Sequence, residues 1–393
     1  MKKILFVIST LNTGGAQRAF ANMSLGLPDG WQADFLLNDT ENICYPYHGN
    51  IISLGMKPQK DKTKLTYQLK VFAKRYRTLK RLKCSGEYAA CISGLASANA
   101  VNVLTGKKNC KTIISFRIFM SKVVSGDGAK GWIKKVSTKW LANRADCVVA
   151  VSESMRRDLI QNFGVVQQKA YTIYNGYPLN QIQKMALEPL SEEQKKWFQS
   201  SEYTVATVGR LDEQKDHKCL IQAFRKVVDL HANARLLILG EGSLQNELQE
   251  LIGKLKLEQN VILCGFQTNP YKIVARSDCF ILSSLYEGFP NTLAESLCLG
   301  IPAVSTDCDS GAREILAPDT EISCKIKNSI EIGEYGILCP VGNCEQMAQA
   351  METILNDSNL QNLYKKKSLE RANQLSIDKM MEQWIALIEQ HEH

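Results

Sequence analysis

Apolar residues in this chain gather in short, nearly continuous runs separated by longer stretches in which they recur every three or four positions. The runs at 2–9, 34–37, 50–54, 88–93, 111–116, 146–152 and 170–175 have the length and composition of strands buried on both faces. The stretches between them read as helices with one apolar stripe. Strands alternating with helices in this way predict a parallel, doubly wound sheet of about seven strands. Residues 177–199 break the rhythm with Pro178, Pro189 and a polar run, and the pattern then resumes with strand candidates at 203–209, 234–240, 260–265, 279–282 and 302–305. At 393 residues the chain exceeds one ordinary core. The expected division is a first α/β domain at 1–178, a linker at 179–200, a second α/β domain at 201–374 and a terminal helix at 375–393.

Two helices of the first domain stand apart. Residues 57–83 hold eleven Lys and Arg against the single acid Asp61, while Leu65, Leu69, Phe72, Tyr76, Leu79 and Leu82 recur at spacings of three and four. Residues 131–144 set Trp132, Ile133, Val136, Trp140 and Leu141 among Lys134, Lys135, Lys139 and Arg144. Two readings fit both: a stripe packed on the sheet beneath a solvated basic face, or a basic amphipathic surface that meets lipid, tryptophan with lysine being an interfacial composition. Charge is divided along the chain. Residues 1–180 carry 27 basic against 10 acidic residues, net +17, and the remainder is net −9. A basic half implies a partner rich in negative charge. No nucleic-acid-binding motif is present, so an anionic membrane surface or a phosphorylated substrate is the expected partner, and nucleic acid is not.

Composition removes other classes. No apolar run approaches the length of a membrane span, and the apolar part of 1–9 is too short for a signal peptide and reads as a first strand. The thirteen cysteines are scattered, odd in number and mostly set in apolar runs, as expected of reduced, buried thiols in a cytoplasmic protein. No Cys-x2-Cys pair occurs and the five histidines lack ligand spacing, so neither a metal nor a cofactor is expected.

Candidate chemistry concentrates at 278–306, which parses as strand, loop, helix, strand. Asn291 is placed to cap a helix whose first amides, Thr292 to Ala294, would form an anion site, with Glu287 in the loop before it and Glu295 one turn inside it. Phosphate on the amides and sugar hydroxyls on the carboxylates would suit a nucleotide sugar. Alternatively, Glu295 is a favourable helix-start charge and Glu287 a solvated loop residue. Arg210 and Lys215 follow the strand at 203–209, where two cations would complement a diphosphate. Gly14 and Gly15 open a turn onto a helix start, either for close backbone approach of a ligand or as simple punctuation. Arg117 follows a strand end, where open α/β sheets bind ligands. His48 reads as a loop histidine.

The segment Tyr-Glu-Gly-Phe-Pro-Asn-Thr-Leu-Ala-Glu-Ser, with Glu287 and Glu295 as its Glu-x7-Glu, resembles the signature of the retaining family-4 glycosyltransferases. Gly-Arg-Leu-Asp-Glu-Gln-Lys-Asp at 209–216 resembles the same family's phosphate-binding loop, and with the early Gly-Gly turn the likeness spans nearly the whole chain. It implies the GT-B fold: two Rossmann-like domains facing across a cleft, the C-terminal helix returning to the first. It also implies a donor site of Gly15, Arg210, Lys215, Phe266, Glu287, Gly288, Phe289, Asn291, Thr292 and Glu295, with Glu287, Arg210 and Lys215 catalytic and Arg117 on the acceptor side. The activity implied is transfer of a hexose or N-acetylhexosamine, with retention, from a nucleoside diphosphate sugar, UDP being the expected nucleotide. The acceptor would be a hydroxyl of a lipid-linked oligosaccharide in surface-polysaccharide (O-antigen or capsule) synthesis, at the inner face of the plasma membrane. No metal would be required. The alternatives are a nucleotide-sugar epimerase or phosphorylase on the same fold, and a non-catalytic module that binds an anionic surface.

Overall fold

The computed structural model describes residues 1–12, 14–56, 65–106, 109–124, 128–309 and 311–390. Its strands are β1 (Lys2–Val7), β2 (Trp31–Leu37), β3 (Asn50–Ser53), β4 (Tyr88–Gly94), β5 (Lys111–Phe116), β6 (Cys147–Ala150) and β7 (Ala170–Thr172), then β8 (Thr204–Val208), β9 (Arg235–Leu239), β10 (Val261–Leu263), β11 (Cys279–Leu282), β12 (Ala303–Thr306), β13 (Glu331–Ile332) and β14 (Ile337–Cys339). They form two sheets, ordered β3-β2-β1-β4-β5-β6-β7 and β10-β9-β8-β11-β12-β14-β13. The first is parallel throughout, and in the second only β13 runs antiparallel to its neighbour. In each sheet the strand order reverses beside the first strand, which is the doubly wound arrangement. Continuous apolar runs become central strands because helices cover both faces; Ile4 to Val7 and Cys279 to Leu282 are fully buried or nearly so.

The chain divides into two compact units, the first comprising Met1–Gly176 with Ile377–His393 and the second Tyr177–Ser376. The stretch expected as a linker at 179–200 is instead two helices of the second unit, Leu179–Ala186 and Glu192–Phe198. Pro178 stands at the start of the first, where its missing N–H costs nothing, and Ser191 opens the second with a reciprocal capping box to Gln194. Asn269 Nδ2 donates to Met185 O at 2.8 Å, Gln183 Nε2 to Cys298 O at 3.1 Å and Gln194 Nε2 to Gln267 Oε1 at 2.9 Å, so this stretch is fixed to its own unit. Pro178 and Ser191 thus open helices of the second unit. Strands β13 and β14 have no counterpart in the sequence reading, being two and three residues long around a Gly333–Gly336 turn.

Helix Ile377–Glu389 belongs to the first unit, where Ile377, Met380, Met381, Trp384, Leu387 and Ile388 join the core built on β1, β2 and β4. Its approach requires Gly26, where a Cβ would lie 1.9 Å from Ile377 Cγ2. Lys111 Nζ closes its C-terminus on the carbonyls of Leu387 and Gln390, both at 2.7 Å.

The basic helix is described from Leu65 to Cys84, and 57–64 lie outside the described residues. Two of its cations point inward. Arg75, 1% exposed, reaches Asn38 Oδ1 at 2.7 Å and Ser97 Oγ at 3.1 Å, and Lys83, also 1% exposed, donates to Asn102 O, Gly106 O and Thr112 Oγ1. In helix Gly128–Arg144 the buried positions are Gly131, Thr138 and Ala142. Trp132, Ile133, Val136 and Trp140 are exposed, and Leu141 of the same stripe is half-buried.

The terminal helix should therefore be a structural part of the first unit. Trp384→Ala is expected to cost about 3–5 kcal/mol of stability, the range for truncating a fully buried large aromatic, measured by urea unfolding.

Candidate functional site

The loop after β8 sets the first cation. Lys215 ends a 3-10 turn, Glu213–Lys215; Asp216 follows in the left-handed region at φ 46° and caps helix His217–Leu230 by accepting from Cys219 N–H at 3.3 Å. Gly240 and Gly242, after β9, let that turn lie against this loop: a Cβ on Gly240 would sit 1.9 Å from Gly209 O, and one on Gly242 2.3 Å from Leu211 O.

Lys215 Nζ lies 2.5 Å from Glu287 Oε1, with the two side chains only 14% and 9% exposed. Ser284 Oγ donates to the same carboxylate oxygen at 2.7 Å, and Gln214 Nε2 reaches Oε2 at 3.5 Å and Tyr286 O at 2.9 Å. The backbones are joined as well: Leu285 N–H donates to Gln214 O at 2.8 Å, Ser283 Oγ to Lys215 O at 2.6 Å, and Glu287 N–H to Asp309 O at 3.2 Å. Glu287 is thus a held, buried carboxylate and not a solvated loop residue. Arg210, 73% exposed, lies 3.1 Å from Asp212 Oδ2, and its Nη2 donates to Gln214 Oε1 at 3.5 Å.

Helix Asn291–Cys298 begins one residue earlier than expected. Pro290 is its N-cap, and the first helical bond runs from Ala294 N–H to Pro290 O at 3.2 Å. Ala294 is therefore not among the leading amides; Thr292 and Leu293 precede that bond. The Asn291 side chain does not cap: its Oδ1 accepts from Tyr177 O–H at 2.7 Å. Glu295 is 4% exposed and lines a narrow pocket with Val208, Pro270, Tyr271, Thr292 and Ser296. Phe289 is buried, and Gly311 packs on it so closely that a Cβ would lie 3.2 Å from Phe289 Cα and 2.6 Å from Pro290 Cδ. Phe289 therefore fixes the loop through packing, with half-buried Gly288 before it. Phe266 is exposed, its N–H donating to Glu241 Oε1 at 3.4 Å.

Arg210, Lys215, Phe266, Glu287, Gly288, Phe289, Asn291, Thr292 and Glu295 all lie in the second unit, and Gly15 and Arg117 in the first. Gly15 opens helix Gly15–Leu25, with the N–H of the preceding Gly14 donated to Tyr45 Oη at 3.1 Å. Arg117 Nη1 donates to Asn175 Oδ1 at 2.7 Å, and its guanidinium lies 4.9 Å from the Phe20 ring centroid, so it joins elements of its own unit. Ser284, Gln214 and Tyr177 belong to the constellation and were not singled out by sequence. Gln214 was legible as part of the Gln-Lys-Asp stretch, whereas Tyr177 is distant in sequence and carried no signal. Arg313 is buried and binds Asp307 at 2.8 Å and Glu331 at 2.9 Å, a structural role. Among the described residues no group of three or more His, Cys, Asp or Glu could hold a metal ion.

Two doubly wound α/β units, each built on a largely parallel sheet, are the architecture of a GT-B glycosyltransferase. The chain belongs to the family-4 glycosyltransferases. The family Glycosyltransferase Family 4 matches residues 13–181, and Glycosyl transferases group 1 matches residues 191–371. The chain is 31% identical over 376 residues, 95% of both chains, to N-acetylgalactosamine-N,N'-diacetylbacillosaminyl-diphospho-undecaprenol 4-alpha-N-acetylgalactosaminyltransferase from Campylobacter jejuni. It is 38% identical over 267 residues to an uncharacterized glycosyltransferase from Methanocaldococcus jannaschii, covering 64% of this chain and 65% of that one. Anabaena HepE, solved in complex with UDP and glucose, shares the fold with a TM-score of 0.76 at 20% identity, covering all of both chains.

His217 gives this region a pH dependence. It is 2% exposed, and burial, reinforced by Lys215, lowers its pKa from 6.5 to about 4. The unfolded chain binds the proton first, so stability is complete above pH 6.5 and falls as pH drops toward 4. His217→Gln removes this titration and is expected to flatten the fall in urea-unfolding free energy between pH 7 and 4.5. A fall as steep as that of the parent would assign the acid sensitivity elsewhere.

Proposed function

We propose that this protein is a retaining glycosyltransferase that moves a hexose or N-acetylhexosamine from a UDP-sugar to a hydroxyl of a lipid-linked oligosaccharide. What carries the reading is the buried Lys215–Glu287 pair, held by Ser284 and Gln214 at the carboxyl ends of β8 and β11. Such a carboxylate suits the hydroxyls of a donor sugar, and the neighbouring ammonium suits the diphosphate. Exposed Arg210 would add a second cation as negative charge develops on the leaving group, with the Thr292 and Leu293 amides at the helix start. Glu295, deeper and beside the Val208–Tyr271 pocket, would take the ribose hydroxyls, and Phe266 would border the base. No metal enters this scheme, because the cations and amides supply the stabilisation. The names of relatives support the substrate class: the Campylobacter enzyme acts on a diphospho-undecaprenol substrate, and HepE binds UDP. An epimerase or phosphorylase is the less favoured reading, since the families and relatives matched are glycosyltransferases.

The two carboxylates should fail differently. Glu295→Gln is expected to weaken binding of donor and free UDP alike, whereas Glu287→Gln should keep UDP affinity and lose turnover, as separated by calorimetry and initial rates. Lys215→Ala should lower turnover about a hundredfold to a thousandfold, the range for one lost oxyanion-type donor. Equal loss of UDP affinity in both glutamate variants would overturn the division of roles.

The first unit would dock on the cytoplasmic leaflet without spanning it. No helix among the described residues is long and apolar enough to cross a membrane. Helix Gly128–Arg144 instead presents Trp132, Ile133, Val136 and Trp140 to solvent beside Lys134, Lys135 and Lys139, and helix Leu65–Cys84 exposes Lys70, Lys74, Arg77, Lys80 and Arg81. At about 1 kcal/mol per cation near an anionic surface, four or five engaged residues hold the protein at low salt and release it at high salt. Co-sedimentation with phosphatidylglycerol vesicles should fall when Trp132 and Trp140 become Ser, and fall further when Lys74, Lys80 and Arg81 are neutralised. Binding that ignores both sets would sink the lipid reading.

A further inference from the structure

We infer that Cys219 and Cys344 form a reversible disulfide, a modification site in the second unit that is loaded by low-molecular-weight disulfides. Cys344 is the first residue of helix Cys344–Leu355, and its Sγ lies 2.9 Å from Sγ of Cys219, which is 125 positions away in sequence on helix His217–Leu230. A disulfide of ~2.05 Å is then reached by under about 1 Å of approach between the sulfurs.

The pair is positioned by contacts that do not involve sulfur. Both helices contribute to one core through Leu220, Phe224, Val227, Met347 and Met351. Lys226 and Glu345 form an ion pair across them. Each helix start is fixed by its own cap, Asp216 accepting from Cys219 N–H at 3.3 Å and Asn343 from Gln346 N–H at 3.1 Å. In addition, Gln222 Oε1 accepts from the Cys344 thiol at 3.3 Å. Cys344 is half-buried and meets solvent, whereas Cys219 is 5% exposed. An external reagent therefore reaches Cys344 first.

With oxidised glutathione the chemistry balances without another reactant. The Cys344 thiolate attacks one glutathione sulfur, forming a mixed disulfide and expelling one glutathione thiolate. Cys219 then loses its proton to solvent and attacks Cys344 Sγ, expelling the second glutathione thiolate. Two protein thiols are oxidised and one glutathione disulfide is reduced to two thiols. Burial pushes the Cys219 thiol well above its ordinary range, so the second step is the slow one and quickens as pH rises.

The test uses the full chain, reduced, desalted and treated with oxidised glutathione at pH 7 and pH 8.5. After acid quenching and N-ethylmaleimide, digestion without reductant and mass spectrometry identify the state of each cysteine. The expected result is a linked Cys219–Cys344 peptide that forms faster at pH 8.5 and disappears with dithiothreitol. Exposed Cys44, Cys84 and Cys324 serve as internal measures of simple accessibility. Oxidised protein should melt about 5 °C or more higher than reduced protein, a shift absent in Cys344→Ser. A glutathione adduct that persists on Cys344 at both pH values without the linked peptide, or a Cys344 that stays unmodified while the exposed cysteines react, would overturn the assignment.

Discussion

The second unit's site depends on taking one positive and one negative side chain out of water together. Removing an ammonium and a carboxylate from solvent costs several kcal/mol each, and their mutual attraction offsets this only when the remaining hydrogen-bonding capacity is met. At Lys215 and Glu287 that condition is satisfied by Ser284 and Gln214 and by the backbone bonds between the two loops. The loops after β8 and β11 are consequently one object. Moving either would separate a charge from its partner in a region with little water to replace it, so Lys215, Gln214 and Glu287 keep fixed relative positions before any ligand arrives.

Close packing extends that rigidity to the helix start. Gly311 lies against Phe289 and Pro290, and the isolated bridge between Tyr286 and Asp309 ties the same loop to the segment after β12. Tyr177 anchors Asn291 from the other side. The helix is buried nearly all round, from Leu293 to Cys298, so its first amides have one available direction. A preorganised set of amides and cations needs little reorganisation when charge appears, which is the property a diphosphate leaving group exploits.

Much of this was legible in sequence because it is written in local pattern. Continuous apolar runs marked twelve of the strands, since a strand covered on both faces has no polar alternation to confuse it. The Arg-Leu-Asp-Glu-Gln-Lys-Asp and Glu-x7-Glu stretches contain Lys215 and Glu287, which meet, whereas Glu295 lines the pocket beside Val208 and Tyr271. What stayed hidden depends on partners distant in sequence or on very short elements. Strands of two and three residues leave no periodic trace. Pro178 and the polar run after Pro189 read as breaks because the same residue types interrupt a helix and begin one. The cap of the Asn291 helix shifted by one residue to Pro290, and the Asn291 side chain is engaged instead by Tyr177, more than a hundred positions away.

Charge shows the same limit from another side. A count of basic residues treats Arg75 and Lys83 like their neighbours, yet both are buried, binding serine, asparagine, threonine and backbone oxygens. They join the helix to the ends of β1 and β2 and to the helix after β4, so they hold the basic helix in place without lending charge to its surface. Neutralising them would test folding and say nothing of lipid. The opposite holds for Trp132, Ile133, Val136 and Trp140, which a stripe-on-sheet reading would bury and which are exposed. Gly131, Thr138 and Ala142 are the inward positions, and such small residues let the helix lie close to the unit with its large apolar side chains turned outward. That exposure leaves apolar surface in water among lysines, a combination that becomes favourable when an anionic, hydrocarbon-backed surface replaces the water.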